Sequence, residues 1–519
     1  RILSRSARLT VKLAGLMVLL LTVSVFTACK KNFLDTARQG GYDEENYPYP
    51  GGSGPYDQYI FGAYNSLRDY SVHVDGFINA TSIRSDDADK GSTPNDGGAD
   101  VISMDNFPVL PNSGRANALW TGYYGLINRC NNTLFQIGSN KQIVATDAVK
   151  LQSQAEVRFI RGYSYFMLTR LFGKVPIIDT LFSDPAAQNN VPQSSVDQVY
   201  AFIERDLNFA AAYLPAFWDA VKFPGRITSG AANGLLTKVY LTQQKWAQAM
   251  NTANMVMNSG QYNLSTPYNT IFGEEGENSK ESIFEVQARA DAINPTSQGI
   301  QYTNLQGVRG AGPWDLGWGW NSPSANLAAA YEPNDPRRAR TILFTSTPTT
   351  PGVTIYGEVT PIGLPNPRYN HKVHTNPATR AAVGNRFGWW NNVRILRYAD
   401  VVLMYAEAAN ELGGANNITA AKAALNSVRF RARAGNNAIL PDVTTNDQAL
   451  LRDAIRHERR IELAMEHDRF FDIVRWGIAQ NVMNAAGKSN FNAARDVLLP
   501  IPQAQIDLTG GVLKQNPGY

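Results

Sequence analysis

Five of the nine tryptophans fall between residues 260 and 395: Trp314, Trp318, Trp320, Trp389 and Trp390. Three of them lie in Gly312-Pro-Trp-Asp-Leu-Gly-Trp-Gly-Trp320, which holds too much glycine for a helix. With no regular element to bury three indoles, some of the rings are expected to face solvent. An indole presents a flat apolar face, and the C–H face of a sugar ring stacks on such a surface. Flanking Asn, Asp, Arg and Gln can bond hydroxyls. Taken singly, each tryptophan also reads as the core of its own loop. As a cluster, all five are candidate ligand-binding residues.

Other constellations lead elsewhere. Glu458, Glu462 and Glu466 recur every four residues, so one helical face carries three carboxylates. Glycoside hydrolysis needs two carboxyls about 5 to 9.5 Å apart across a cleft. Leu451 and Ile455 continue this face, and Arg456, Arg459, Arg460 and Arg469 are near in sequence. Ion pairs that lock helices together are the expected use. His457-Glu458-Arg459-Arg460-Ile461 begins like a zinc-protease helix but has Ile461 where the second His must stand. His371 and His374 have no evident third ligand. Gly487-Lys488-Ser489 lacks the upstream glycine of a phosphate loop, since Val482 occupies that place. Asp86, Asp87 and Asp89 lack the spacing of a calcium loop and read as a solvated turn. Cys130 sits in the helical pattern Leu126-Ile127-Asn128-Arg129-Cys130 and reads as a buried thiol. No catalytic residue, metal site or cofactor is expected, and the chain reads as a binder rather than an enzyme.

The N-terminus is a targeting segment by its pattern. Arg1, Arg5, Arg8 and Lys12 precede an apolar run from Leu13 to Phe26, too short to span a bilayer as a helix. Phe26-Thr27-Ala28-Cys29 resembles a bacterial lipobox, which makes Cys29 the acylation site. The 48 Lys+Arg exceed the 44 Asp+Glu only through four basic residues in 1–28, so the remainder is balanced. A balanced chain offers no global field for a polyanion, which argues against nucleic acid.

Five segments follow. Residues 1–28 read as a signal peptide and 29–56 as a lipid-anchored leader, with Tyr47-Pro-Tyr-Pro-Gly-Gly-Ser-Gly-Pro55 too rich in breakers for a helix. Residues 57–259 form a helical part. Within it, Gln152–Phe172 keeps a three- or four-residue apolar step, and 228–242 with 245–258 forms a pair. Trp246-Ala247-Gln248-Ala249 with Ala253 resembles the second helix of a tetratricopeptide unit. Residues 260–395 are irregular and aromatic-rich, with some short strands, and a stretch of that length is usually functional. Residues 396–519 return to helix at 398–412, 418–433 and 447–480, the last broken near Asp468. The expected fold is mostly α: a tetratricopeptide-like scaffold of about four helix pairs carrying one large loop-rich insertion.

Together these motifs resemble the SusD/RagB family of nutrient-uptake outer-membrane lipoproteins. The resemblance rests on Asn32-Phe33-Leu34-Asp35 after the cysteine, and on Glu156-Val-Arg-Phe-Ile-Arg-Gly-Tyr163 followed by Leu171-Phe-Gly-Lys-Val-Pro176. It continues with Arg397-Tyr-Ala-Asp-Val-Val-Leu-Met-Tyr-Ala-Glu-Ala408 and Glu458-Arg-Arg-Ile-Glu-Leu-Ala464 through Arg475-Trp-Gly477. Leu499-Pro-Ile-Pro502 and Gln515-Asn-Pro-Gly-Tyr519 complete it. Lys30-Lys31 depart from the acidic residues often found after the lipid cysteine. The resemblance implies a surface-exposed, lipid-anchored protein at the cell outer membrane. It implies an oligosaccharide ligand and, as partner, a SusC-like TonB-dependent barrel transporter. Some relatives carry oligopeptides instead, which is the alternative cargo. A surface glycoside hydrolase is the remaining alternative and would need two facing carboxylates, such as Asp315 and Glu332.

Overall fold

Among the described residues eight helices of twelve residues or more carry the fold, and most start at a side-chain cap. In the computed structural model, which describes residues 54–291, 293 and 298–519, the first is α1, Gly114–Ser139, capped by the Ser113 side chain. Helix α2, Asp147–Phe172, is capped by Thr146 and ends at Gly173, whose φ of 72° an L side chain rarely adopts. Helix α3, Val196–Tyr213, opens with a capping box between Ser195 and Gln198. Then come α4, Ser229–Thr242, and α5, Trp246–Met257. The C-terminal group is α6, Tyr398–Leu412, α7, Ala415–Ala432, and α8, Gln448–Glu462, the last capped by Asp447 on two backbone N–H groups. The signal at 1–28, Cys29 and nearly all of the leader lie outside the described residues.

Helices consecutive in the chain pack on one another from α1 to α7, and α8 returns onto α6. The run is therefore not interrupted by the 140 or so residues inserted between α5 and α6, because those two helices touch. This is the tetratricopeptide-like frame. Its C-terminal core joins Val402, Leu403 and Ala406 of α6, Leu425 and Val428 of α7, and Leu451 and Ile455 of α8. Truncating a fully buried leucine here, such as Leu451→Ala, costs about 2–5 kcal/mol.

The insertion has a stem. Strand β2, Ser282–Val286, pairs antiparallel with β6, Val393–Arg397, so the outgoing and returning chains are tied before α6 begins. Two further two-stranded ribbons lie beyond: β1, Ala88–Gly91, with β3, Trp320–Pro323, and β4, Ile342–Phe344, with β5, Arg368–Asn370. The expected short strands are present, and Tyr56–Asn140 with Ala145–Tyr519 forms one compact unit.

Buried charge clamps the stem to the frame. Glu462 accepts from Arg337 and Arg397 (both 3.1 Å) and from Arg431. Arg397 also meets Glu281 and Glu466, and Lys372 meets Glu466. Glu458 pairs with Arg337 and Arg429. Burial pushes the Glu462 carboxyl up, but Arg431, Arg397 and Arg337 outweigh it and hold it below the usual range. The three glutamates are thus structural ion-pair residues. Asp86 and Asp87 correct the reading of a solvated turn: both are buried, with Asp86 bonded by Arg469 (2.8 and 2.9 Å) and Asp87 by Arg460. Only Asp89 of the three is exposed. Cys130 is buried, and burial pushes its thiol up to about 12. Lys488 spends its ammonium on the Ile83 and Ala88 carbonyls and on Asp105.

Candidate functional site

The glycines of the tryptophan segment are there for backbone contact. Residues 304–320 fold back on themselves: Leu316 N–H donates to Val308 O, Trp318 N–H to Asn304 O and Gly319 N–H to Gly307 O, each at 2.9 Å. A Cβ on Gly317 would lie 2.1 Å from Asn304 O, so no side chain fits. Gly319 has a φ of 73°, and its carbonyl accepts from Ser92 N–H, which joins this segment to the end of β1. The result is a rigid double-backed loop with fixed side-chain directions.

Those directions separate the five tryptophans. Trp318 is 50% exposed. Trp314 is half-buried on the apolar patch of Val308, Leu316, Leu343 and Tyr369, and stacks on His374 at 6.2 Å between ring centroids and 26° between planes. Trp389 is half-buried and stacks on Phe387 at 6.0 Å and 22°. Trp320 is only 7% exposed: it lies in β3, donates from Nε1 to Asp96 Oδ2 (3.3 Å) and sits under Arg115. Trp390 is 5% exposed and donates from Nε1 to Glu274 (2.6 Å). Of the five candidates, Trp318 is therefore the one held open to solvent, while Trp320 and Trp390 are the two whose rings are buried. Each of those two has a polar partner for its indole N–H, which is what lets a tryptophan be buried at low cost.

The two tryptophan-bearing segments meet. Arg386 Nη2 pairs with Asp315 Oδ2 at 2.5 Å, and both side chains are nearly half exposed. Arg386 also lies over the Phe387 ring at 5.2 Å. Trp314, Trp318, Phe387 and Trp389 are thus carried on segments linked by one exposed charge pair. Below them, His374 is held by Glu358 (2.9 Å), and burial pushes its imidazole down against the pull of that carboxylate. Arg386 and Phe387 fall in the loop 385–392 that the sequence marks, with 300–330, as ligand-facing, but neither they nor His374 stand out individually as site residues. The signal available was Gly384-Asn-Arg-Phe-Gly388, a glycine-bracketed aromatic and cation immediately before Trp389.

The two carboxylates required by a hydrolase are both taken up. Asp315 holds Arg386, and Glu332 accepts two bonds from Arg429 (2.7 and 3.0 Å). Those bonds hold Glu332 below the usual range, the opposite of what a general acid needs. His371 and His374 are buried, and no group of three or more His, Cys, Asp or Glu is arranged for a metal ion among the described residues.

Two family models match the chain. One, described as "SusD family", matches residues 280–519, and the other, "Starch-binding associating with outer membrane", matches residues 79–241. SusD-like protein P2 of Formosa agariphila is 28% identical over 478 residues, 89% of this chain and 91% of that protein. A solved laminarin-binding SusD-like protein is 28% identical with a TM-score of 0.75, covering 89% of this chain and 99% of its own. Surface glycan-binding protein A from Bacteroides thetaiotaomicron, solved with laminarihexaose, shares the fold at a TM-score of 0.71 and 23% identity, over 89% of this chain and 98% of its own. With both helical parts matched by family models and the whole frame shared with these relatives, the chain belongs to the SusD/RagB family.

Proposed function

We propose that this protein binds an oligosaccharide at the outer membrane and passes it to a TonB-dependent barrel of the SusC type. The observation that carries the reading is the exposed Trp318 ring on a backbone too tightly packed to let it collapse inward. Trp314 and Trp389 lie on the two segments that the exposed Asp315–Arg386 pair links, and that pair supplies hydrogen-bonding groups open to solvent. A stacking platform flanked by a few oriented polar groups suits a neutral, hydroxylated ligand. The relatives' glycan ligands support the same reading. Acylation at Cys29 would tether the protein, with several acyl chains giving a stable anchor.

Titration of the protein against laminarihexaose, a wider glycan panel and oligopeptides tests the ligand class. At least one glycan is expected to bind, and Trp318→Ala is expected to weaken it about tenfold, the ~1.4 kcal/mol typical of removing an interface aromatic. Binding of peptides with failure of every glycan would reassign the cargo. Co-purification with a barrel transporter tests the partner, and loss of membrane retention in Cys29→Ala tests the anchor.

A further inference from the structure

A cleft of about 390 Å³ opens beside residues 353–356, and Arg340, Tyr356, His371, Ile355, Asn269 and Glu275 line it. Arg340 is 2% exposed. Its Nε donates to Asn269 O (2.9 Å) and its Nη1 to His371 O, while Nη2 is buried with no partner. Among the described residues no carboxylate forms a close ion pair with it, and Glu275 at the rim of the cleft acts on it only at longer range. Arg337, one turn earlier in the same short helix, is as deeply buried but is met by Asp335, Glu458 and Glu462. A buried guanidinium without a counter-charge costs free energy that the fold itself does not return. Burial lowers its basicity to about 10, yet it stays charged at neutral pH.

The groups around it suit an oxyanion. His371 is kept neutral by burial and by Arg340, and both its nitrogens are used: one on Ala339 O (2.6 Å), the other accepting from Ile355 N–H (3.0 Å). Burial pushes the Tyr356 hydroxyl up to about 12, so it remains a donor. Tyr356 also faces His374 at 6.2 Å and 32°, and His374 stacks on Trp314. The cleft therefore stands at one end of a row of rings whose other end is the tryptophan segment.

We propose that this cleft seats an anionic substituent of the bound glycan, a uronic-acid carboxylate or a sulfate ester, on Arg340 with the Tyr356 hydroxyl as second donor. The inference rests on the glycan-binding reading above. It makes the protein selective for acidic over neutral glycans, and Glu275 at the exposed rim sets an upper limit on that selectivity by repulsion.

The test titrates the whole protein with laminarihexaose, an oligouronide and a sulfated hexasaccharide at low and high salt. At least one acidic arm is expected to bind about tenfold tighter than laminarihexaose at low salt, with the advantage shrinking as salt screens it. Which arm wins separates carboxylate from sulfate. Arg340→Met is expected to abolish the advantage while leaving laminarihexaose unchanged. Glu275→Gln, a rim change that leaves the core intact, is expected to tighten the acidic arm about two- to threefold without altering the neutral one. Equal affinity of the wild type for neutral and acidic glycans overturns the proposal and leaves glycan binding standing. So does an acidic advantage that survives in folded Arg340→Met or, if that variant does not fold, one that Glu275→Gln does not move. Failure of every glycan, neutral and acidic, overturns the underlying reading instead.

Discussion

The hub around Glu462 and the pair Arg386–Asp315 are both guanidinium–carboxylate contacts, and they do opposite things. The hub is dry and closed: Glu462 is buried, and three arginines from three parts of the chain converge on it. The pair is wet and open, and it joins two segments that carry half-exposed rings. Charge in the interior fixes where elements must be, because an unmatched partner there is expensive. Charge at the rim costs little to separate, so it stays free to meet a ligand. The same division runs through the tryptophans, with Trp320 and Trp390 tied down by acidic acceptors and Trp318 held out.

Breaking the hub should have the largest effect. Glu462→Ala leaves Arg337, Arg397 and Arg431 short of a counter-charge, and a loss of about 3–5 kcal/mol in stability is expected. Chemical denaturation would measure it. A loss below about 1 kcal/mol would mean that the hub is not what clamps the insertion's stem to α8.

The tryptophans sharpen the contrast with one pair of variants. Trp320→Ala empties a buried site and is expected to cost about 3 kcal/mol or more. Trp318→Ala is expected to change stability by less than about 0.5 kcal/mol and to act on ligand affinity instead. If the two variants destabilised equally, the division between buried and offered rings would be wrong.

Glu277 tests the boundary between the two kinds of charge. Its carboxylate accepts from Asn392 N–H (2.7 Å) and has Arg394 at 3.7 Å, but burial wins and raises it to about 7. A carboxyl raised on folding holds its proton more tightly in the folded state. Its contribution is full below the unfolded value near 4.5 and is lost as pH rises through about 7. Glu277→Gln keeps an acceptor for Asn392 and removes the titration. It is expected to raise stability at pH 8 by on the order of 2–3 kcal/mol and to change little at pH 4.5. Thermal melts across that range would read it, and a gain independent of pH would point to packing rather than ionisation.

How much of this the sequence revealed follows the same line. Helix α6 is expected at 398–412 and is found there, because a regular period runs through it and Gly413-Gly414 marks its end. The stretch 447–480 is expected as at least one long helix broken near Asp468, and it forms Gln448–Glu462 and Arg469–Arg475 on either side of a break that ends at Asp468. Met465 and His467 adopt left-handed φ values there, in the turn from which Glu466 enters the hub and the His467 ring bonds Tyr302 and Thr81. That tertiary demand leaves no periodic trace. Nor does the fate of each tryptophan: in a loop with left-handed glycines, side-chain direction does not follow a fixed step, so Trp318 and Trp320 read alike and end up apart. The partners that bury Trp320 and Trp390, Asp96 and Glu274, are distant in sequence. The acidic pairing of Asp86 and Asp87 was hidden for the same reason, since Arg460 and Arg469 lie more than 370 residues away.

The smallest effect is expected at the rim, and it is the one that bears most directly on function. Asp315→Asn removes the charge facing Arg386 but keeps a side chain of the same size. Both residues are more than 40% exposed, so solvent screens the pair and its loss should cost no more than about 0.5–1 kcal/mol. Binding need not follow stability. If the pair only holds the two tryptophan segments in register, Asp315→Asn and Arg386→Gln should weaken ligand binding equally, and the double variant should be no worse than either. If Arg386 bonds the ligand itself, Asp315→Asn frees it and should strengthen binding, while Arg386→Gln weakens it. The sign of the Asp315→Asn effect on affinity distinguishes the two, and a double-mutant cycle checks either case, since both expect the double variant to match Arg386→Gln alone and the couplings to have opposite signs. The exposed Trp318 ring should then show its own loss undiminished in the Asp315→Asn background, since stacking needs no charge.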